Sequence, residues 1–435
     1  MTGSGSCDDD ARRAIDAVWR IESARVIAGV ARIVRDLGIA EELAQDALVA
    51  ALEQWPESGV PDNPGAWLMA TAKHRAIDLV RRKERYARKL EELGHRLESQ
   101  DQDSQEADFA AAEAAADGDI EDDLLRLVFT ACHPVLATEA RVALTLRLLG
   151  GLTTAEIARA FLVGEPTVAQ RIVRAKKTLA KAGVRFEVPE EGEERRERLA
   201  SVLEVIYLIF NEGYSATAGD DWMRPALCED ALRLGRVLAG LMPREPEVHG
   251  LVALLEIQAS RAAARTGPSG EPVLLTDQDR RRWDQLLIRR GFAALARADA
   301  LPGLPGPYAL QAAIAACHAR ALTPDATDWP RIAELYDALA RLVPSPVVEL
   351  NRAVAVAMAH GPEQGLKLVD ALSDEPALRR YHLLPTVRGD LLARLGRHAE
   401  ARTEFERAAA LTRNEREREL LLARAAEAGR GEAGR

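Results

Sequence analysis

Apolar residues recur every three or four positions along most of the chain, the spacing that places them on one face of an α-helix. The pattern is regular from Val18 to Leu37, ends at Gly38, and returns over residues 40–53 and 65–89. No stretch shows the apolar–polar alternation of a half-buried strand over roughly four to eight positions. The sequence therefore predicts an all-α protein.

The loop between the second and third predicted helices, residues 54–64, is rich in proline and glycine. Because these residues break helices, we expect the whole loop to be non-helical. Pro64 would then lie in the first turn of the third helix, where its missing N–H has no intrahelical partner to lose. Further along, residues 122–149 predict a helix or a pair of helices, interrupted at Pro134.

Residues 152–182 contain the most specific local pattern, a helix, a short turn and a second helix. Thr153 or Thr154 can cap the first helix, and Val163-Gly164 can form the turn. The outer face of the second helix would carry side chains that suit base edges and phosphates in a DNA major groove. These are Thr167, Gln170, Arg171, Arg174, Lys176 and Lys177. An ordinary helical hairpin with a solvated basic face would give the same local pattern.

The predicted helix that begins at residue 64 is strongly basic. Between residues 64 and 89 there are eight Lys or Arg against two acids, Asp78 and Glu84. Trp67 and Leu68 would belong to its buried face, which leaves the opposite face available to solvent or nucleic acid. On its own, a basic amphipathic helix fits a solvated surface equally well.

The net charge of −10 argues at first against nucleic-acid binding, because phosphate contacts need Lys and Arg. Its distribution changes that picture. Residues 1–96 carry 15 basic and 16 acidic side chains, and residues 97–123 carry 11 acidic side chains and no basic one. Residues 124–185 carry ten basic and three acidic side chains, whereas residues 186–435 carry 33 basic and 38 acidic ones. The acidic stretch has almost no large apolar residue and predicts a flexible linker. We therefore expect a helical domain, a linker, a basic helical domain and a helical remainder with these bounds.

The basic helix and the helix-turn-helix pattern, with an acidic linker between them, make residues 15–183 resemble a bacterial RNA polymerase sigma factor of the extracytoplasmic-function (ECF) type. The resemblance implies that the first domain (region 2) binds core polymerase and the −10 promoter element. The second domain (region 4) would bind the −35 element through the helix-turn-helix. The helix matching Ala40–Leu52 would contact the polymerase clamp. Its candidate contacts are Glu41, Glu42, Gln45, Asp46 and Val49.

The same resemblance implies that the helix matching 65–82 reads the −10 element and that the 53–64 loop helps to open it. The candidate contacts are Trp55, Thr71, Lys73, His74, Arg75, Asp78, Arg81 and Arg82. Trp55 is expected to stack on extruded bases, whereas Trp67 is expected in the core. One departure from the family pattern is Glu165-Pro166, where Ser or Thr often precedes the Thr-Val pair.

Residues 186–435 exceed a minimal sigma factor. Near the end, Gly389–Ala408 follows the tetratricopeptide (TPR) pattern in part, a weaker unit lies at 351–370, and 308–344 could form a third. Plain antiparallel helices without true repeats are the alternative. The segment Ile206–Tyr214 resembles the long, TPR-containing C-terminal extension of one ECF subgroup. We expect this extension to regulate the sigma domains in cis and to bind a protein or peptide partner.

A group of polar residues in the extension has the composition of a metal or catalytic cluster. These are Asn211, Glu212, Arg224, Asp277, Asp279 and Arg280, with Asp220, Asp221 and Trp222 nearby. No His-x-x-x-His or Glu-x-x-His spacing accompanies them, and each acid has an arginine near it in sequence. We therefore expect buried structural salt bridges and assign no metal, no cofactor and no enzymatic activity.

Several other classes of protein are disfavoured. No apolar run approaches the roughly 18 residues of a membrane-spanning helix, and the first residues lack the layout of a signal peptide. The four cysteines form no C-x-x-C pair, so neither a zinc ribbon nor a disulfide framework is indicated. We expect a cytoplasmic protein without membrane partners. The alternatives to a sigma factor are a conventional helix-turn-helix regulator that binds DNA without polymerase and a helical TPR-type scaffold.

Overall fold

The computed structural model of the 435-residue chain describes residues 4–94, 120–216, 223–268 and 270–433. It confirms the all-α prediction, because the described residues form α-helices and short 3-10 turns and no extended strand, and an isolated β-bridge joins Thr266 to Pro272. The chain divides into two compact units, Met1–Val205 and Ile206–Arg435.

Unit 1 holds two helical domains. Its helices are α1 (Ser4–Val34), α2 (Leu37–Ser58), α3 (Pro64–Gly94), α4 (Ile120–Ala131), α5 (Thr138–Leu148), α6 (Thr154–Ala160), α7 (Glu165–Lys181) and the first part of α8 (Glu193–Tyr214). In the first domain, α1, α2 and α3 pack on one another, and in the second α7 packs on both α5 and α6. Between α1 and α2 the chain turns at Arg35, with φ of 53°. The Asp36 carboxylate then caps α2 by accepting a hydrogen bond from the Ile39 N–H at 2.9 Å.

The predicted end of α2 is wrong. Residues 54–58, expected in a loop, continue the helix and place Pro56 inside it. The proline lies close to the helix end, which Gly59 closes at φ of 83° while its N–H donates to the Trp55 carbonyl at 2.9 Å. Because Trp55 in the same turn is buried, we attribute the continuation of the helix to its packing, which outweighs the local cost of the proline.

The predicted end of the acidic linker is also wrong. α4 begins at Ile120, so residues 120–123 are helical rather than linker. Asp123 is buried and forms ion pairs with Arg126 at 2.6 Å and Arg32 at 3.4 Å. These contacts hold the start of α4 in place, against α1. The other residues of the predicted linker, 97–119, lie outside the described residues.

Unit 2 is a succession of helices in which most neighbours along the chain pack together. They are the end of α8, α9 (Pro225–Leu241), α10 (Pro246–Ala259), α11 (Gln285–Ala300), α12 (Pro307–Arg320), α13 (Trp329–Leu342), α14 (Pro346–His360), α15 (Pro362–Ala371), α16 (Leu383–Arg394), α17 (His398–Leu411) and α18 (Glu415–Ala433). Asn414, fully buried, donates to the Ala216 carbonyl at 3.2 Å and so connects the two ends of the unit.

Small residues lie where helices of unit 2 cross. A Cβ added at Gly365 in α15 would lie 2.4 Å from the Ala357 Cβ in α14. A Cβ at Gly389 in α16 would lie 2.9 Å from the ring of Phe405 in α17. Close crossings of this kind fit the predicted TPR-like units, whose identity as true repeats stays a prediction.

The three cysteines with described side chains, Cys132, Cys228 and Cys317, are buried and unpaired. Burial raises the pKa of Cys132 to about 11 and that of Cys228 to about 12, so both thiols stay protonated and unreactive at neutral pH. Within the described residues, no helix has the length and apolarity needed to cross a membrane.

Candidate nucleic-acid interface

The structure confirms the predicted helix-turn-helix, which α6 and α7 form. At the start of α6, the Thr153 hydroxyl accepts a hydrogen bond from the Glu156 N–H at 3.2 Å, and the Glu156 carboxylate accepts one from the Thr153 N–H at 2.8 Å. This capping box satisfies two N–H groups that the helix itself leaves free. The turn then passes through Leu162 at φ of 50°, and α7 begins at Glu165 with Pro166 in its first turn.

One side of α7 is buried and another is open. The residues that pack inward are Val168, Ile172, Ala175 and Leu179. Of the predicted −35 contacts, Thr167, Gln170, Arg174 and Lys177 are exposed and Arg171 is half-buried. At 100° per residue these five lie within one arc of the helix. The arrangement presents two arginines, a lysine, a glutamine and a hydroxyl together.

Lys176 does not belong to that arc. The helical period places it nearly opposite the other five side chains, and its ammonium donates to the Glu41 carboxylate of α2. Its prediction as a contact to the −35 element is therefore wrong for this conformation. The reason is that the sequence pattern selected polar residues of the recognition helix without distinguishing its outer face from the opposite side.

The basic helix α3 is ordered from its first turn, where the Asn63 side chain accepts a hydrogen bond from the Ala66 N–H at 3.0 Å. Leu68, Ala72 and Ala76 are buried and pack it into the domain. Of the predicted −10 contacts, His74, Asp78, Arg81 and Arg82 are exposed, while Thr71, Lys73 and Arg75 are half-buried. Seven of the eight candidates are thus at least partly accessible on α3.

Trp55, the eighth candidate, is only 2% exposed. Its ring packs edge-to-face on Trp67, with 5.4 Å between centroids, and Trp67 is half-buried. The expectation that Trp55 is available for base stacking is therefore wrong for this conformation. The prediction failed because it placed Trp55 in a loop, whereas the helical extension of α2 turns the indole inward.

The predicted polymerase-binding face of α2 is exposed at Glu42, Asp46 and Val49 and half-buried at Gln45. Glu41, at the edge of this face, is buried. Burial alone would raise the pKa of Glu41, but the charges of Lys176 and Arg147 outweigh it and hold the pKa below its ordinary value. Glu41 is therefore ionised at neutral pH, and its carboxylate is already paired with Lys176 and Arg147 within the protein.

Sequence reasoning missed two residues, one on the surface of α3 and one in the contact between α5 and α2. Tyr86 is 68% exposed on α3, directly after the basic run that includes Arg81 and Arg82. An aromatic residue beside a basic run is a recognisable signal for single-stranded DNA. Arg147 of α5, whose Nε donates to Glu41 at 2.6 Å, gave no sequence signal because its role depends on the packing of two domains.

The polar cluster predicted in the extension is not assembled as one network. Glu212 pairs with Arg224, as expected. Asp279 pairs instead with Arg281 at the surface, and Arg280 donates to the backbone carbonyls of His318 and Ala321 at 2.7 and 2.6 Å. Among described residues no group of three His, Cys, Asp or Glu could hold a metal ion. Asp220, Asp221 and Trp222 lie outside the described residues.

Comparison with known proteins agrees with the geometry of unit 1. Residues 20–86 match the family described as sigma-70 region 2, and residues 126–179 match sigma-70, region 4. The chain is 32% identical over 152 residues to "ECF RNA polymerase sigma factor SigK" of Mycobacterium ulcerans (strain Agy99), which covers 34% of this chain and 74% of that protein. The chain belongs to the ECF sigma factors of the sigma-70 family. Its sigma-70 domains indicate interaction with core RNA polymerase and promoter DNA. Region 2 contains α1–α3, and region 4 contains α4–α7.

The extension of this sigma factor also has relatives. Residues 198–299 match a family of unknown function (DUF6596). The chain is similar to "Uncharacterized protein R00370" of Rhizobium meliloti (strain 1021), with 47% identity over 384 residues and 88% of each chain covered. A match of that length includes both the sigma domains and most of the extension, so the two parts occur together in that relative as well.

Proposed function

We propose that this sigma factor directs core RNA polymerase to specific promoters and helps to open them. The observation that carries the proposal is the single open arc of the recognition helix α7, which combines base-reading and phosphate-binding side chains. Arg171 and Arg174 can donate to guanine or phosphate oxygens, and Gln170 can pair with adenine. Thr167 and Lys177 would fix the position of the helix on the −35 element.

Region 2 would contribute the −10 contacts and the attachment to polymerase. On α3, His74, Arg81 and Arg82 are exposed beside Asp78, so the helix can bind backbone phosphates and read base edges. Thr71, Lys73 and Arg75 flank this strip. On α2, Glu42, Asp46 and Val49 form an acidic and apolar face suited to a basic partner surface such as the polymerase clamp.

The α7 assignment is tested by the double variant Arg171→Ala with Arg174→Ala in the full chain. We expect each lost base contact to cost about 1–3 kcal/mol of binding free energy, and each lost phosphate contact to lower the salt slope of DNA affinity by about 1. The measurement is promoter affinity of the polymerase holoenzyme at several salt concentrations. The matched control replaces two arginines of unit 2, Arg331 and Arg341, by alanine. Equal promoter affinity of the double variant and the control would contradict the assignment.

Footprinting with and without core polymerase distinguishes a sigma factor from a conventional DNA-binding regulator. A sigma factor should protect the promoter chiefly in the presence of polymerase. Equal protection by the protein alone would support the alternative regulator instead.

For the extension, we propose in-cis regulation of the sigma domains together with binding of a protein or peptide partner. Its support is the array of closely crossing helices in unit 2 and the joint occurrence of both parts in the Rhizobium relative. Truncation after residue 216 tests regulation. It keeps α8, in which Glu204 accepts a bond from Arg141 of region 4 at 3.0 Å. We expect promoter-dependent transcription to change by about tenfold or more, with −35 duplex binding as the folding control. Transcription equal to that of the full chain would contradict in-cis regulation.

A further inference from the structure

Unit 2 contains a cavity of about 490 Å³, far from the recognition helix in sequence. It lies where the 3-10 turns of residues 275–282 meet the end of α12, the start of α13 and the end of α14. Its size falls within the roughly 300–1,000 Å³ of small-molecule sites. The lining residues are Leu275, Thr276, Arg280, His318, Pro324, Asp325, Thr327, Trp329 and Met358. The cavity is therefore large enough for a small organic molecule.

The guanidinium of Arg280 is held at the wall of this cavity by neutral partners. Its Nη1 donates to the carbonyls of His318 and Ala321 at 2.7 and 2.6 Å, and its Nη2 donates to the Thr327 hydroxyl at 3.0 Å. These bonds use three of the five N–H groups of an arginine. The Nε is buried and has no hydrogen-bond partner within the described residues. Arg280 is thus fixed in position and still has donors for a further acceptor.

The positive charge beside the cavity lacks a carboxylate partner. Arg280 and Arg261 lie over the ring of Trp283, 5.2 and 5.4 Å from its centroid, and neither forms an ion pair within the described residues. Arg261 donates instead to the side chains of Gln258 and Gln278 at 3.0 and 3.3 Å. Burial lowers the pKa of Arg280, and no carboxylate offsets this effect. Two uncompensated cations make this part of unit 2 attractive to an anion.

His318 adds a neutral polar group to the same wall. The residue is 9% exposed, and its Nδ1 has no hydrogen-bond partner within the part of the chain that the structure describes. Burial and the charges of Arg261 and Arg280 lower the pKa of His318 to about 4, so its imidazole is neutral at neutral pH. Trp329 packs edge-to-face on this imidazole, with 5.1 Å between centroids, and is half-buried. Polar and aromatic surfaces therefore meet in one cavity.

The charges of the lining favour a ligand with one negative charge. Among the described residues that line the cavity, Arg280 is the only guanidinium or ammonium, and Asp325, which is exposed, is the only carboxylate. A phosphate dianion would meet repulsion from Asp325 and find one adjacent guanidinium. A carboxylate carries one charge and accepts hydrogen bonds from arginine in a favourable geometry.

We propose that this cavity binds a small organic acid, with its carboxylate at Arg280 and its apolar body against Trp329 and Met358. The Thr327 hydroxyl, which accepts a hydrogen bond from Arg280, keeps its own proton to donate to the carboxylate. His318 contributes a further polar contact through Nδ1. This site lies in the extension and does not depend on the promoter-directing function or on the in-cis role proposed for the extension.

The first test is isothermal titration calorimetry of the full chain with benzoate, phenylacetate and indole-3-acetate as probes. The matched controls are their neutral amides, benzamide, phenylacetamide and indole-3-acetamide. We expect at least one acid to bind with a Kd below about 1 mM and its amide to bind about tenfold or more weakly, because the amide loses the charge-assisted hydrogen bonds. Absence of binding by all three acids, or equal affinity of acid and amide, would overturn the proposal. Tighter binding of phenyl phosphate than of any acid would overturn the choice of a carboxylate.

A substitution then tests the location of the site. Arg280→Gln should weaken binding of the acid by about tenfold or more, because the guanidinium charge is lost. The matched control is Arg281→Gln, since Arg281 is the next residue in the chain, is 91% exposed and pairs with Asp279 at the surface. The control should bind the acid as wild type does. Equal affinities of the two variants would contradict the placement of the carboxylate at Arg280.

Photolabelling of the wild-type protein is independent of variant folding. Irradiation with 4-azidobenzoate should label peptides that contain residues 275–280 or 324–329, as detected by mass spectrometry, and an excess of benzoate should protect them. Labelling confined to other parts of the chain, or labelling of these peptides without protection by benzoate, would overturn the proposed site.

Discussion

The indole of Trp55 fills the space between α2 and α3, where it meets Trp67 edge-to-face. Such an aromatic pair contributes about 0.5–1.5 kcal/mol beyond the burial of its area. Trp55 therefore stabilises region 2 from within, whereas Tyr86 is the exposed aromatic of the basic helix. The burial of each ring therefore determines whether it can stack on a nucleic-acid base in the described conformation.

Substitution of the two aromatic residues by alanine should have different effects on stability. Trp55→Ala should lower the free energy of unfolding by about 3–5 kcal/mol, because it leaves a large cavity between α2 and α3. Tyr86→Ala, the matched control on the surface, should change stability by less than about 0.5 kcal/mol. Urea denaturation of the full chain measures both. A fully stable Trp55→Ala protein would contradict the packing role.

Individual elements differ in how far local sequence determines them. The helix-turn-helix was predictable almost to the residue, because the Thr153–Glu156 capping box and the start of α7 at Glu165 are local signals. The end of α2 was not, because the burial of Trp55 extends a helix that Pro56 alone would have ended. The helical period alone places Lys176 on the side of α7 away from the open arc. Its partner Glu41 could be found only from the packing of two regions.

The close helix crossing at Gly365 in unit 2 leads to a testable prediction of stability. Gly365→Ala should lower the free energy of unfolding by about 1–3 kcal/mol, because the added Cβ would lie 2.4 Å from the Ala357 Cβ and 2.8 Å from the Ala353 carbonyl oxygen. Gly240→Ala is the matched control. A Cβ at Gly240 would meet nothing within 4 Å, so the higher helix propensity of alanine should stabilise this variant by about 0.5–1 kcal/mol. Equal effects of the two substitutions would contradict the close crossing.

For the whole molecule, the distribution of charge explains how a protein of net charge −10 can bind DNA. The basic side chains of region 4 lie partly on the open arc of α7 and partly against region 2, where Arg147 and Lys176 meet Glu41. The first set is available to promoter DNA. The second set pairs with a buried carboxylate of region 2 within the protein.

The central claim is tested most directly by run-off transcription with purified core polymerase on a promoter selected by the holoenzyme. We predict that wild-type protein gives a specific transcript that core polymerase alone does not give. We also predict that Arg171→Ala with Arg174→Ala reduces this transcript by about tenfold or more, while the Arg331→Ala with Arg341→Ala control leaves it unchanged. Absence of any transcript dependent on the wild-type protein would contradict its assignment as a promoter-directing sigma factor.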